Sequence, residues 1–264
     1  MHTDMTNYKL TIEYRGTAYR GWQAQKNADA VANHVEKAAR GVFHELFDLY
    51  GSGRTDAGVH ALGQVAHLKV SRPKNIKANL KLALNDLLPP DIAVLDVREV
   101  PEDFHARFTA KERVYLYQIL RRRSAFGSDT TWWVKDRLDV KKIKNAAELL
   151  VGKHDFISFC DQDPDNEKST AVEMRSVEVK EEGALLLLRF RANRFLWKQV
   201  RRMTGFLAEV GRGRWAPGKA KDFFEKPSRD LAPFTAPPSG LFLEKVLYPQ
   251  DTFDSPISPA SFVR

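Results

Sequence analysis

Tyr8, Leu10, Ile12 and Tyr14 alternate with Lys9, Thr11 and Glu13. A period of two with one apolar face predicts a half-buried strand. Val31, Val35, Ala38, Val42 and Leu46 then recur at helical spacing, which predicts an amphipathic helix. Leu49 to Ser52 and Gln64 to Val70 read as strands on either side of a glycine-rich loop, the second with Ala66, Leu68 and Val70 on one face. Ile76, Leu80, Ala83, Leu84 and Leu87 form another helical stripe, stopped by Pro89 and Pro90. Ile92 to Val100 is strand-like again. The order is β-α-β-β-α-β.

The second half repeats this grammar without repeating the residues. Val114 to Leu120 is a strand, and Val140, Ile143, Ala147, Leu150 and Val151 mark a helix. Met174 to Lys180 and Ala184 to Ala192 form a hairpin turning at Gly183. Val200, Met203, Leu207 and Val210 make a helical stripe with Gly211 as its C-cap, and Leu241 to Leu247 closes the unit as a strand. The expected fold class is α+β: two ferredoxin-like subdomains with antiparallel sheets, residues 1–107 and 108–248, meeting near Phe104 to Ala110. Three segments read as irregular: the acidic loop Cys160 to Ser169, Pro227 to Ser239 with four of the 13 prolines, and a Pro/Ser-rich tail, 249–264, expected to be mobile.

Composition narrows the function classes. The 264 residues are 43% hydrophobic and 29% charged, with no apolar run near the roughly 20 residues of a membrane helix. Met1 to Leu10 holds no apolar signal core, and the expectation is a cytoplasmic protein without a membrane partner. Cys160 is the single cysteine, which excludes an intrachain disulfide and a multi-cysteine metal site. The net charge of +8 favours a polyanionic partner, nucleic acid before membrane. From Arg189 to Arg214, eight basic residues stand against one acid, Glu209, a net of +7. That density is read either as a track for phosphates or as a solvated basic face.

The candidate chemistry lies in Gly51-Ser52-Gly53-Arg54-Thr55-Asp56-Ala57-Gly58-Val59-His60, between two strands. Glycine permits close backbone approach here, and small neighbours leave Asp56 open to a large substrate beside the cation of Arg54. Such an aspartate also often serves only its own turn. Competing chemistries lack their parts. There is no nucleophile elbow, no GxxxxGK[ST] loop, and no zinc-like clustering of His60, His67 and His105. No metal or other cofactor is expected.

Gly53 to His60, followed by Gly63-Gln64-Val65, closely resembles the signature of the TruA-type tRNA pseudouridine synthases. Further segments match in order: Tyr14 and Gly16 with Tyr19-Arg20-Gly21-Trp22-Gln23, Asp103-Phe104-His105-Ala106-Arg107-Phe108, and Arg113-Val114-Tyr115-Leu116-Tyr117. Asn193-Arg194-Phe195 through Met203 and Gly205, and Ala236-Pro237-Pro238-Ser239-Gly240-Leu241, complete the resemblance over about Tyr8 to Tyr248.

The resemblance implies a pseudouridine synthase core acting on tRNA at positions 38, 39 and 40, as a homodimer. It makes Asp56 the essential carboxylate and Tyr115 the ring that stacks on uracil. Arg54 would displace the base, Arg201 would pair with Asp56, and Leu241 would line the pocket. Read alone, Tyr115 and Leu241 are ordinary core residues, and Arg201 one more phosphate contact. The chemistry suits the residue types. Uracil leaves C1′ through N1 and returns through C5, so no redox partner is needed, and one carboxylate suffices where sugar hydrolysis generally uses two. A non-enzymatic RNA-binding module is the main competitor, but the chain lacks the aromatic RNP1 pattern.

Overall fold

The computed structural model describes residues 5–24, 28–43, 47–71, 79–161 and 169–260. Among these it holds ten strands and five α-helices, a mixed α+β chain whose strands pair mostly antiparallel. Two compact units divide it: Met1–Lys111 with Leu243–Asp251, and Glu112–Phe242 with Thr252–Arg264. No helix among the described residues is long and apolar enough to cross a membrane.

In the first unit, β1 (Met5–Tyr14) lies between β4 (Ile92–Val100) and β3 (His60–Ser71), antiparallel to both. Short β2 (Phe47–Gly51) pairs with β3. The alternation that predicted β1 buries Leu10 and Ile12 completely, each contributing about 1.5–3 kcal/mol. Helix α1 (Val31–Phe43) packs there, with Phe43 stacked on Tyr8 at 6.2 Å. The expected continuation of its stripe to Leu46 lies outside the described residues, as does Ile76 of the second stripe. Helix α2 (Leu80–Asn85) starts at an Asn79 cap and stops short of Pro89. Asn85 ends it by gripping β4: its side-chain amide donates to the Val94 carbonyl (2.9 Å) and accepts from the Val94 amide (2.7 Å).

The other face of β1 and β3 carries Asn7, Lys9 and His67, and residues 101–110 run across it. Asn7 donates to the Pro101 and Phe104 carbonyls (3.1 and 2.9 Å). The Ala106 amide donates to His67 Nδ1 (3.1 Å), and Tyr248 donates to the Ala106 carbonyl (2.8 Å).

In the second unit, the strand order is β5 (Glu112–Leu120), β9 (Leu185–Ala192), β8 (Ala171–Glu182), β7 (Gly152–Asp155). Gly183, at φ 56°, makes the predicted β8–β9 turn. Three elements had no signal in the periodicity: two-residue β6 (Trp132–Trp133), which pairs in parallel with β5, β7 itself, and α5 (Lys219–Glu225). Helix α3 (Val140–Glu148) is capped by Asp139, a contact worth about 1 kcal/mol. Helix α4 (Gln199–Gly211) is buried on nearly every side, not along one stripe. It also runs past the expected stop. Gly211 stays helical against the Ile143 side chain, and Gly213, at φ 80°, is the left-handed residue that follows. The last strand, β10 (Leu241–Leu247), begins in this unit and ends in the first.

As far as Ala260, the tail departs from the expectation of mobility by making specific contacts. Arg189 donates to the Ser255 and Pro256 carbonyls (2.8 and 3.2 Å) and lies over the Phe253 ring. Lys180 donates to the Ile257 carbonyl, and the Ala260 amide to Gln118. Side chains of β5, β8 and β9 thus hold a segment that has little apolar content to hold itself.

Candidate active site

The Gly51–His60 loop is pinned at both ends. Next to β2, the Ser52 amide donates to the Val65 carbonyl (2.7 Å) and its hydroxyl to Gln64 Oε1 (2.8 Å), while Gln64 Nε2 donates to the Gly53 carbonyl (3.0 Å). Gln64 is fully buried, so these bonds are shielded from water and define one loop path. The segment after β1 clamps the centre. Tyr14 and Thr55 share a hydroxyl bond (2.8 Å), the Trp22 amide donates to the Thr55 carbonyl (3.3 Å), and the Gly58 amide to the Tyr19 carbonyl (3.2 Å). Gly21 explains the closeness: a Cβ there would stand 2.2 Å from the Thr55 oxygen, and its φ is 91°. The opening motif therefore forms the other wall of the loop.

Asp56 stands half-buried on this frame, its carbonyl closing a turn with the Val59 amide (3.1 Å). Arg54 is exposed and its Nε donates to Gln23 Oε1 (3.1 Å). Residue types alone left Gln23, Thr55 and Gln64 without roles; they are what positions this loop. His60 is structural too, accepting from the Gly16 amide (3.1 Å).

Tyr115, Arg201 and Leu241 lie in the second unit, on β5, on α4 and at the start of β10. Tyr115 lies on β5 opposite Phe190, edge-on to Phe195 at 4.9 Å, and is 9% exposed. Arg201, on α4, donates from Nε to the Ala236 carbonyl (2.7 Å) and accepts the Ala236 amide on its own carbonyl (3.1 Å). The small-residue side of α4, with Thr204, Gly205 and Ala208, packs within this unit against Phe234–Ala236. A Cβ on Gly205 would stand 1.7 Å from the Phe234 oxygen. Tyr117 completes the lock by donating to the Pro237 carbonyl (2.8 Å). Burial pushes its phenol well above the usual 10, with Arg201 opposing. Its signal was legible: Tyr115 and Tyr117 are two apart on a strand and share a face. Leu241 is buried at the first position of β10.

A profile of the family described as tRNA pseudouridine synthase matches residues 10–109 and 146–249. The chain belongs to that family. It is 42% identical over 252 residues to tRNA pseudouridine synthase A of Rhodospirillum rubrum, covering 94% of this chain and 90% of that protein. It is 40% identical over 248 residues to tRNA pseudouridine synthase A 2 of Clostridium perfringens, with 92% and 100% covered.

By sequence, the run from Arg189 to Arg214 reads either as a phosphate track or as a solvated basic face. Its side chains are engaged within the protein, though Arg214 stays exposed. Arg189 holds the tail and is 1% exposed. Arg191 pairs with Glu112, and Arg194 donates to the Ser169 and Ala171 carbonyls. Lys198 and Arg202 converge on Asp161, and Arg202 also reaches the Cys160 carbonyl. Arg212 pairs with Asp136 and Glu209, and Arg214 with Glu209. Charge counting could not foresee this, because apart from Glu209 the partners come from outside the run. Elsewhere in the second unit, Arg121, Arg122, Lys135 and Arg137 border a groove of about 580 Å³ that also carries Asp136 and Glu181. Among the described residues, no group of three or more His, Cys, Asp or Glu side chains could hold a metal ion.

Proposed function

We propose that this chain isomerises uridine to pseudouridine in the anticodon stem-loop of tRNA, at positions 38, 39 and/or 40, with Asp56 as its essential carboxylate. The observation that carries this reading is the half-buried Asp56 on a loop braced by Tyr14, Trp22 and Gln64, in a chain of the tRNA pseudouridine synthase family. A carboxylate that must reach the reacting sugar or base of an extruded nucleotide needs a fixed position and an open approach. Rigid bracing with small, partly exposed neighbours supplies both.

Tyr115, Arg54, Arg201 and Leu241 bind the substrate. Tyr115 offers a ring for uracil, Arg54 an exposed cation beside the carboxylate, Arg201 a guanidinium fixed by Ala236, and Leu241 an apolar wall. Each unit reads as ferredoxin-like. The element order β1-α1-β2-β3-α2-β4, with β1 flanked by β4 and β3, supports this for the first. The working protein is taken to be a cytoplasmic homodimer.

The test uses tRNA tritiated at uracil C5. The wild type is expected to release tritium, and Asp56→Ala to release none above background while still binding tRNA. Unimpaired release by Asp56→Ala would remove Asp56 from the chemistry. Free uracil as the product would replace isomerisation by hydrolysis.

A further inference from the structure

Two aromatic rings of the first unit face solvent where a soluble surface would ordinarily hide or replace them, with a half-buried third between them. Tyr50, at the end of β2, is 52% exposed, and Phe108 is 77% exposed. His105 lies between them, 5.7 Å from Tyr50 and 4.3 Å from Phe108 by ring centroids. Beneath them is buried His67, stacked on Tyr50 at 5.4 Å and 23°, and 4.5 Å from His105. The shelf is built, not loose. His67 Nδ1 accepts the Ala106 amide, and His105 Nδ1 accepts the Arg107 amide (3.1 Å). The His105 amide in turn donates to Thr109 Oγ1 (3.1 Å).

The charges around it have one dominant sign. The Arg107 guanidinium lies 5.9 Å from the Phe108 ring centre. Lys69 shares the His67 face of β3 and acts on both imidazoles, with Asp48 as the acid that also acts on His67. Burial holds both histidines below their usual 6.5, so at neutral pH they present rings without charge. Exposed rings flanked by cations fit a partner with flat π faces and a phosphate backbone, which is single-stranded nucleic acid. Five residues lie between Tyr50 and Asp56, so the two are at most about 22 Å apart. Nucleotides beside a uridine held at Asp56 reach that far.

We propose that Tyr50, His105 and Phe108 form a stacking shelf for an unpaired base flanking the target uridine, with Arg107 and Lys69 facing its phosphates. This rests on the function proposed above, and it adds a second base-receiving surface outside the Gly51–His60 loop.

The test measures the Kd of a synthetic anticodon stem-loop RNA, which needs no turnover. Tyr50→Ala/Phe108→Ala is expected to weaken binding about tenfold or more, since stacking is worth about 1–3 kcal/mol per base. Its thermal midpoint should stay near that of the wild type, because both rings are exposed. Phe108→Tyr should retain the affinity. The salt slope of binding should be unchanged in the double variant and shallower in Arg107→Gln. An unchanged Kd in the double variant overturns the shelf. So does a change in sedimentation that accounts for the lost affinity, which would make the rings a contact with a second copy. A wild type that binds RNA but releases no tritium would sink the isomerase reading and leave the Kd comparison to decide the shelf.

Discussion

His67 is fully buried on β3, and its ring is pushed down to about 4, chiefly by burial, with His105 and Lys69 adding. The native state therefore keeps it neutral where the unfolded chain, near 6.5, has already taken a proton. Between those values the unfolded state binds more protons, so stability falls as pH drops from about 6.5 to about 4. His105 is shifted the same way and adds to the loss. A series of urea melts across that window should show the decline, and His67→Gln should flatten it. A slope that survives in His67→Gln would assign the effect elsewhere. Asp56 belongs to the same scale: sequence pattern picked out the residue, but its bracing by Gln64 and Tyr14 was invisible, because both partners come from other elements.

Helix α4 shows how one element can be misread. Val200, Met203, Leu207 and Val210 correctly marked a buried stripe, yet Thr204, Gly205 and Ala208 are buried as well. The Phe234–Ala236 segment seals that side, with the Phe234 oxygen where a Gly205 Cβ would sit. Gly205→Ala should therefore cost about 3 kcal/mol through overpacking, read as a lower urea midpoint. Because Arg201 anchors the same segment at Ala236, tRNA binding should weaken with it. A variant as stable as the wild type would mean that the segment yields easily. Lys198 enters this helix at φ 60°, the lone non-glycine with positive φ among the described residues, and its ion pair to Asp161 (2.5 Å) helps hold it there.

Across the whole molecule, net charge and usable charge part company. Eight basic residues between Arg189 and Arg214 are engaged by carboxylates and carbonyls. Arg212→Gln should therefore lower the unfolding midpoint while leaving the salt dependence of tRNA binding unchanged. A shallower salt slope would restore Arg212 as a phosphate contact. The tail is part of the same economy of charge. Removing residues 252–264 strips Arg189 of its two carbonyl partners, with an expected loss of about 2 kcal/mol of stability. A truncated chain that melts with the full-length protein would show that water replaces them freely.

Local pattern determined the order of the main strands and helices, the Gly183 hairpin and the identity of the motif loop. Each of these depends on neighbours within a turn or a few residues. The tertiary structure decided what local pattern cannot encode. It divided β10 between two units, buried α4 all round, and docked the tail on Arg189. It also paired much of a basic run with carboxylates and carbonyls from other segments. The physical reason is common to all four: burial and charge pairing are set by which distant segments arrive at a residue, and arrival is a property of the folded chain.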